Sequence, residues 1–347
     1  MTMHRPLILG CKGLHLEAAE AAFFQQVQPF GFILFARNVE TPAQLSALCA
    51  DLRAAVGRNV PIFTDQEGGR VQRLRAPHWR EWAPPLDSLA DLPLEAACRA
   101  MWLRMRIIAS ELTAVGIDGN CAPLADIAEA QTHAVLRNRC YGTSPERVSA
   151  IARACADGLL HGGVLPVLKH IPGHGQAVVD SHLETPTLRA PLDRLRQTDF
   201  LPFQALADLP LGMTGHLVLP EVDPQLPVTV SPTCIALIRE EIGFNGLLIT
   251  DDLSMEALGG TPAERATRAR AAGCDVVLHC NGNLEEMRAV AAAAGEFSPQ
   301  EAARATEALQ ARQPAQPVDI HALAAEFEAL HSERRQDGTE HARSAPL

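Results

Sequence analysis

The sequence predicts a single (β/α)8 barrel. Three observations point to it: eight short apolar runs rich in β-formers, helical segments between them, and polar or charged groups where five of the runs end. At about 150 residues per domain, 347 residues could make two domains, but α/β barrels fill such a length as one unit. The expected division is a barrel over residues 1–331 and a polar, unpatterned tail over 332–347 that is expected to be disordered. A doubly wound open sheet is the alternative, but no Gly-x-Gly-x-x-Gly follows an early strand, and no solenoid-period repeat occurs.

The expected strands, in order, are Leu7–Leu9, Phe32–Phe35, Pro61–Thr64, Ile117–Pro123, Val164–Leu168, Leu211–Thr214, Leu247–Thr250 and Val276–Leu278. They read as continuous apolar runs rather than alternating ones, as strands buried on both faces do. Helix starts are marked by Thr41-Pro-Ala-Gln44, Thr143-Ser-Pro-Glu146 and Thr261-Pro-Ala-Glu264, each a hydroxyl N-cap with Glu or Gln three residues on. Met101, Met105, Ile108, Leu112 and Val115 recur at helical spacing and are read as a core-facing stripe.

Composition narrows the function. The chain is 47% hydrophobic and 20% charged, which argues against global disorder. Its net charge is −11 and no Lys/Arg cluster stands out, so no nucleic-acid partner is expected. No apolar stretch reaches the roughly 18 residues of a membrane span, so no membrane partner is expected either. The Pro6–Cys11 run is too short for a signal-peptide core. Nine scattered cysteines with no Cys-x-x-Cys pair fit a reducing compartment, and a cytoplasmic protein is expected.

In a barrel, chemistry sits where strands end. The third run ends in Asp65-Gln-Glu-Gly-Gly-Arg-Val-Gln-Arg73. The fourth leads through Asn120 to Asp126 and on to Arg137-Asn-Arg139. The fifth ends in Lys169-His-Ile-Pro-Gly-His-Gly175, the sixth in Thr214-Gly-His216, the seventh in Thr250-Asp-Asp252. After the fifth, residues 171–186 carry no period, and connections that long are usually functional or disordered. Three histidines within thirteen residues (His170, His174 and His182) raise a zinc reading, but Pro172 and Gly173 keep the first two off a common helix face. Asp180 and His182 suit another use: a carboxylate two residues away can bond one imidazole nitrogen and leave the other for proton transfer.

Together, Lys169–Gly175, Asp180-Ser-His182, Ile249-Thr-Asp-Asp-Leu-Ser-Met255, Asp65–Arg73 and Met213–His216 closely resemble glycoside hydrolase family 3. Within it they resemble the single-domain bacterial β-N-acetylhexosaminidases of peptidoglycan recycling, over roughly residues 6–330. The resemblance implies that Asp251 is the nucleophile, His182 the general acid/base and Asp180 its carboxylate partner. It implies that Asp65, Arg73, Arg139, Lys169 and His170 hold an N-acetylglucosamine ring, with no metal and no cofactor. Two departures stand out. Thr250 replaces a common Ser before the nucleophile, and Asn138-Arg-Cys-Tyr-Gly142 replaces a common Asn-Arg-Ser-Phe-Gly.

The chemistry is coherent on its own terms. A retaining glycosidase needs a carboxylate nucleophile and a proton donor, and imidazole titrates near working pH. The expected reaction is cleavage of GlcNAc from 1,6-anhydro-N-acetylmuramic acid with or without its peptide, a small-molecule substrate for a monomer. The alternatives are a family-3 β-glucosidase, a phosphorylase, a catalytically silent sugar-binding barrel and a zinc hydrolase. Asp252 is the alternative nucleophile.

Overall fold

The computed structural model describes residues 4–178 and 185–343. Eight parallel strands close a barrel: β1 Arg5–Gly10, β2 Pro29–Leu34, β3 Ile62–Thr64, β4 Gly119–Asn120, β5 Leu165–Ile171, β6 Leu211–Thr214, β7 Leu247–Asp252 and β8 Val276–His279. Closure is made by β1 against β8, with Leu7 opposite Val277. The longer helices are α1 Ala18–Val27, α2 Pro42–Val56, α3 Leu94–Ala114, α4 Pro145–His161, α5 Pro232–Glu240, α6 Pro262–Ala272, α7 Leu284–Ala294, α8 Pro299–Gln310 and α9 Ile320–Arg343.

The continuous apolar runs have the expected cause. Leu7 and Leu9 pack outward with the helices, while Ile8 joins Ile33, Phe63, Val167, Met213, Ile249 and Leu278 in the barrel interior. Nearly every strand residue is therefore buried on one side or the other, the exceptions being Arg5 at the start of β1 and Asp251 and Asp252 at the end of β7. Phe297 and the alanines Ala305 and Ala308 of α8 belong to that interior cluster, and Phe297 meets Phe30 edge-on at 6.3 Å. This seals the end where the strands begin and leaves the opposite end for chemistry.

The Met101–Val115 stripe is buried as expected. Thr41 accepts the Gln44 N–H at 3.2 Å, and Thr261 with Glu264 closes a full capping box. At α4 the cap is Ser144, which accepts from the Arg147 N–H, and not Thr143. Pro145 fixes this choice, because proline suits the first helical position and so places the cap directly before it.

Two further expectations change. The fourth strand spans two residues, not seven, and Pro123 beyond it has no N–H to give the ladder. The tail expected from residue 332 continues α9 to Arg343, its Glu, Arg, Gln and Ala content being favourable to helix. A small antiparallel hairpin, Gln66–Gly68 with Val71–Gln72, follows directly after β3 and leaves no mark in the hydrophobic pattern. No helix among the described residues is long and apolar enough to cross a membrane.

Candidate active site

An open cavity sits where the strands end. Asp65, Arg73, Arg139, Lys169, His170 and Asp251 all line it, so six residues from three strand ends and two loops meet in one place. Asp180 and His182 lie outside the described residues.

One wall is a closed charge network. Lys169 Nζ donates to Asp65 Oδ1 at 3.0 Å and to Glu67 Oε1 at 2.6 Å. Arg73 donates to the other oxygen of Asp65 at 3.0 Å. Arg139 grips Glu67 with two parallel bonds of 2.9 and 2.8 Å. Burial pushes both carboxyls up, but Lys169 and Arg73 outweigh it at Asp65, as Arg139 and Lys169 do at Glu67; both are held well below the usual carboxylate range. Burial likewise opposes the charge of Lys169, and the two carboxylates overturn it, raising its pKa. Buried charges are tolerable only when paired in this way, and the pairing holds two arginines and a lysine in fixed directions.

The hairpin after β3 makes the network possible. The Gln66 side chain accepts the N–H groups of Arg73 and Leu74 at 2.9 and 3.0 Å and donates to the Leu74 carbonyl at 2.9 Å. It thereby replaces ladder bonds that a three-residue strand cannot supply. Glu67 is 1% exposed and is the residue that sequence reasoning passed over, although it sits inside the Asp65–Arg73 stretch. The available signal was chemical: a carboxylate flanked by two other site residues needs a cation once buried.

The adjacent aspartates at the end of β7 are not equivalent. Asp252 Oδ1 accepts from the Ser254 and Cys280 N–H groups at 3.0 and 3.1 Å, and Oδ2 takes the Ser254 hydroxyl. Asp251 Oδ1 accepts the Asp252 N–H at 2.8 Å, and its other oxygen meets no donor among the described residues. Burial raises the Asp251 carboxyl, yet His216, His170, the Asp252 N–H and Lys169 together hold it below its ordinary value. It is thus an ionised carboxylate with a lone pair available to the cavity.

His170 Nδ1 lies 2.8 Å from Asp126 Oδ2, and Asp126 Oδ1 accepts the His174 N–H at 2.6 Å. His174 also lines the cavity, but both its ring nitrogens are buried without a partner among the described residues. His216 points elsewhere. Its ring bonds the Thr229 hydroxyl at 2.8 Å and the Asp252 carbonyl at 3.1 Å, buttressing the aspartate turn from behind. The unusual Tyr141 is buried, and its hydroxyl accepts the Leu124 N–H at 3.2 Å. Among the described residues, no group of three His, Cys, Asp or Glu is placed to hold a metal ion.

Comparison with known proteins agrees with this arrangement. The chain matches the glycosyl hydrolase family 3 N terminal domain over residues 9–310. It is 38% identical over 296 residues to a β-hexosaminidase of Pseudomonas aeruginosa, 84% of this chain and 86% of that one. It is 38% identical over 309 residues to a β-hexosaminidase of Chromobacterium violaceum, 86% and 85% of the two chains. The structure of NagZ from Neisseria gonorrhoeae in complex with N-trifluoroacetyl-D-glucosamine superposes with a TM-score of 0.82 at 30% identity, covering 95% of this chain and 97% of that one. A family 3 β-N-acetylglucosaminidase from Paenibacillus gives 0.83 at 28% identity, covering 94% and 67%. A closed parallel barrel with a charged cavity at its strand ends, matched along nearly its whole length, makes this chain a member of glycosyl hydrolase family 3.

Proposed function

We propose that the protein is a retaining β-N-acetylglucosaminidase that removes terminal β-GlcNAc from peptidoglycan fragments, GlcNAc-1,6-anhydro-N-acetylmuramic acid with or without its peptide. That it is a glycosidase of the β-N-acetylhexosaminidase type follows from its family and its relatives. The finer reading is carried by one observation: of the two aspartates at the end of β7, only Asp251 keeps a carboxylate oxygen free of donors among the described residues.

In this reading, the free oxygen of Asp251 attacks the anomeric carbon, and the bond from that carbon to the glycosidic oxygen breaks. His182, oriented by Asp180, delivers a proton to the departing oxygen. Water then attacks the glycosyl-enzyme, His182 takes its proton, and Asp251 is released. Asp65, Arg73, Arg139, Lys169 and His170 hold the sugar. The fixed directions of the two arginines and the lysine support this, because preorganised donors cost no reorganisation when the ring binds. No cofactor enters this chemistry. Nine free thiols support a reducing, cytoplasmic setting.

The test is turnover of aryl β-GlcNAc against aryl β-glucoside, with and without phosphate. Hydrolysis of the GlcNAc substrate alone is expected. Preference for the glucoside, or release of sugar 1-phosphate, would overturn it. A mechanism-based fluorosugar should label Asp251, and a label on Asp252 would reassign the nucleophile.

A further inference from the structure

We infer that Asp126 is a positioning residue that fixes which nitrogen of His170 carries a proton, so that Nε2 meets the sugar as a hydrogen-bond acceptor. The inference deepens the function proposed above and rests on the sugar occupying this cavity.

Asp126 lies beyond the end of β4 and is 1% exposed. Both its oxygens are committed to the segment that carries His170. Oδ2 is 2.8 Å from His170 Nδ1, and Oδ1 accepts the backbone N–H of His174 at 2.6 Å. Burial raises the Asp126 carboxyl, but His170 and the His174 N–H outweigh it, so the group is ionised. An ionised carboxylate only accepts, so Nδ1 must be the donor and carry hydrogen. In the neutral ring the lone pair is then on Nε2. That nitrogen has no partner among the described residues, and the ring lines the cavity. A carbohydrate hydroxyl that bonds a neutral Nε2 must therefore donate to it.

The geometry also says what would undo this. In Asp126→Asn the amide oxygen stays with the His174 N–H, a backbone donor that cannot turn away. The NH2 group is then left facing Nδ1. It can only donate, so the imidazole must move its proton to Nε2. The variant keeps the shape of the site and converts the acceptor facing the sugar into a donor. A tautomer set by a second-layer carboxylate is a recognised way to tune a histidine.

Nitrogen-15 NMR on histidine-labelled enzyme tests this directly, with the His170 signals identified by their loss in His170→Gln. The wild type should show hydrogen on Nδ1 and none on Nε2 at neutral pH, and Asp126→Asn hydrogen on Nε2 and none on Nδ1. KM for aryl β-GlcNAc should rise about 10–100-fold in the variant, the range expected when a buried polar partner is mismatched. The change in kcat should be smaller. An unprotonated Nδ1 or a protonated Nε2 in the wild type would overturn the inference even if the variant failed to fold. A folded variant with wild-type tautomer or wild-type KM would overturn it too. The NMR readout does not depend on which sugar the enzyme cleaves, so its outcome is separable from the substrate assignment.

Discussion

At the scale of single residues, the site divides into groups that face the cavity and groups that hold them there. Asp251→Ala should abolish glycoside turnover while leaving the thermal midpoint near that of the wild type, because its carboxylate makes a single bond to the described chain. Asp252→Ala should instead lower the midpoint, since three donors lose their acceptor. Unfolding scans of both variants distinguish the roles, and equal midpoints would contradict this division. His174 makes a different prediction. Burial and then the neighbouring His170 push its pKa down to about 4, against Asp126 and Asp251, so the folded ring is neutral where the unfolded one charges. For such a group, stability is complete above the unfolded pKa near 6.5 and falls as pH drops toward 4. The wild type should therefore lose about 3 kcal/mol more than His174→Gln between pH 7 and pH 4. Denaturant titrations at a series of pH values measure the gap, and a gap constant with pH would refute it. The family resemblance put Asp65, Arg139 and Lys169 in one site, and the structure does bring them to one cavity. Glu67 and Asp126 were not assigned in that way. Their roles depend on which cation or imidazole lies across the barrel mouth, and local spacing carries no such information.

At the scale of elements, the strand-to-loop boundary after β3 does the most for the site. The hairpin Gln66–Gly68 with Val71–Gln72 presents Asp65, Glu67 and Arg73 together. It is too short to be read from periodicity, and one buried side chain replaces most of its ladder. Gln66→Met keeps the volume but strands the Arg73 and Leu74 N–H groups, while the Leu74 carbonyl keeps the Gln72 amide at 2.8 Å. We expect a loss of about 3 kcal/mol and weaker binding of GlcNAc-type inhibitors. Calorimetry with an inhibitor titration checks both, and undiminished affinity would show that the hairpin does not organise the pocket. The helix starts were legible for the opposite reason. A cap is satisfied within four residues, so Thr41 and Thr261 needed no distant partner.

For the whole molecule, the last helix turns out to brace the site. Phe327 of α9 meets Trp82 edge-on at 5.2 Å, Arg104 of α3 lies over the same ring at 5.4 Å, and Arg104 donates to the Glu67 carbonyl at 2.6 Å. A contact path thus runs from the C-terminal helix to the hairpin. Phe327→Ala should cost about 3 kcal/mol, as emptying a buried aromatic site does. Urea unfolding measures it, and an unchanged midpoint would show that α9 is not part of the cooperative unit.

What the sequence determined by itself was local or collective. The eight apolar runs, their helices and caps specify a barrel, because burial on both strand faces and self-contained caps write their requirements into consecutive residues. The motifs at the strand ends marked which end would carry chemistry. The tertiary structure alone decided the rest: that Glu67 joins Arg139 to Lys169, that Asp252 is committed to its turn while Asp251 is not, and that Asp126 addresses His170. Each of these depends on an atom-to-atom distance between segments 28 to 104 residues apart, set by barrel closure and burial rather than by neighbours in the chain.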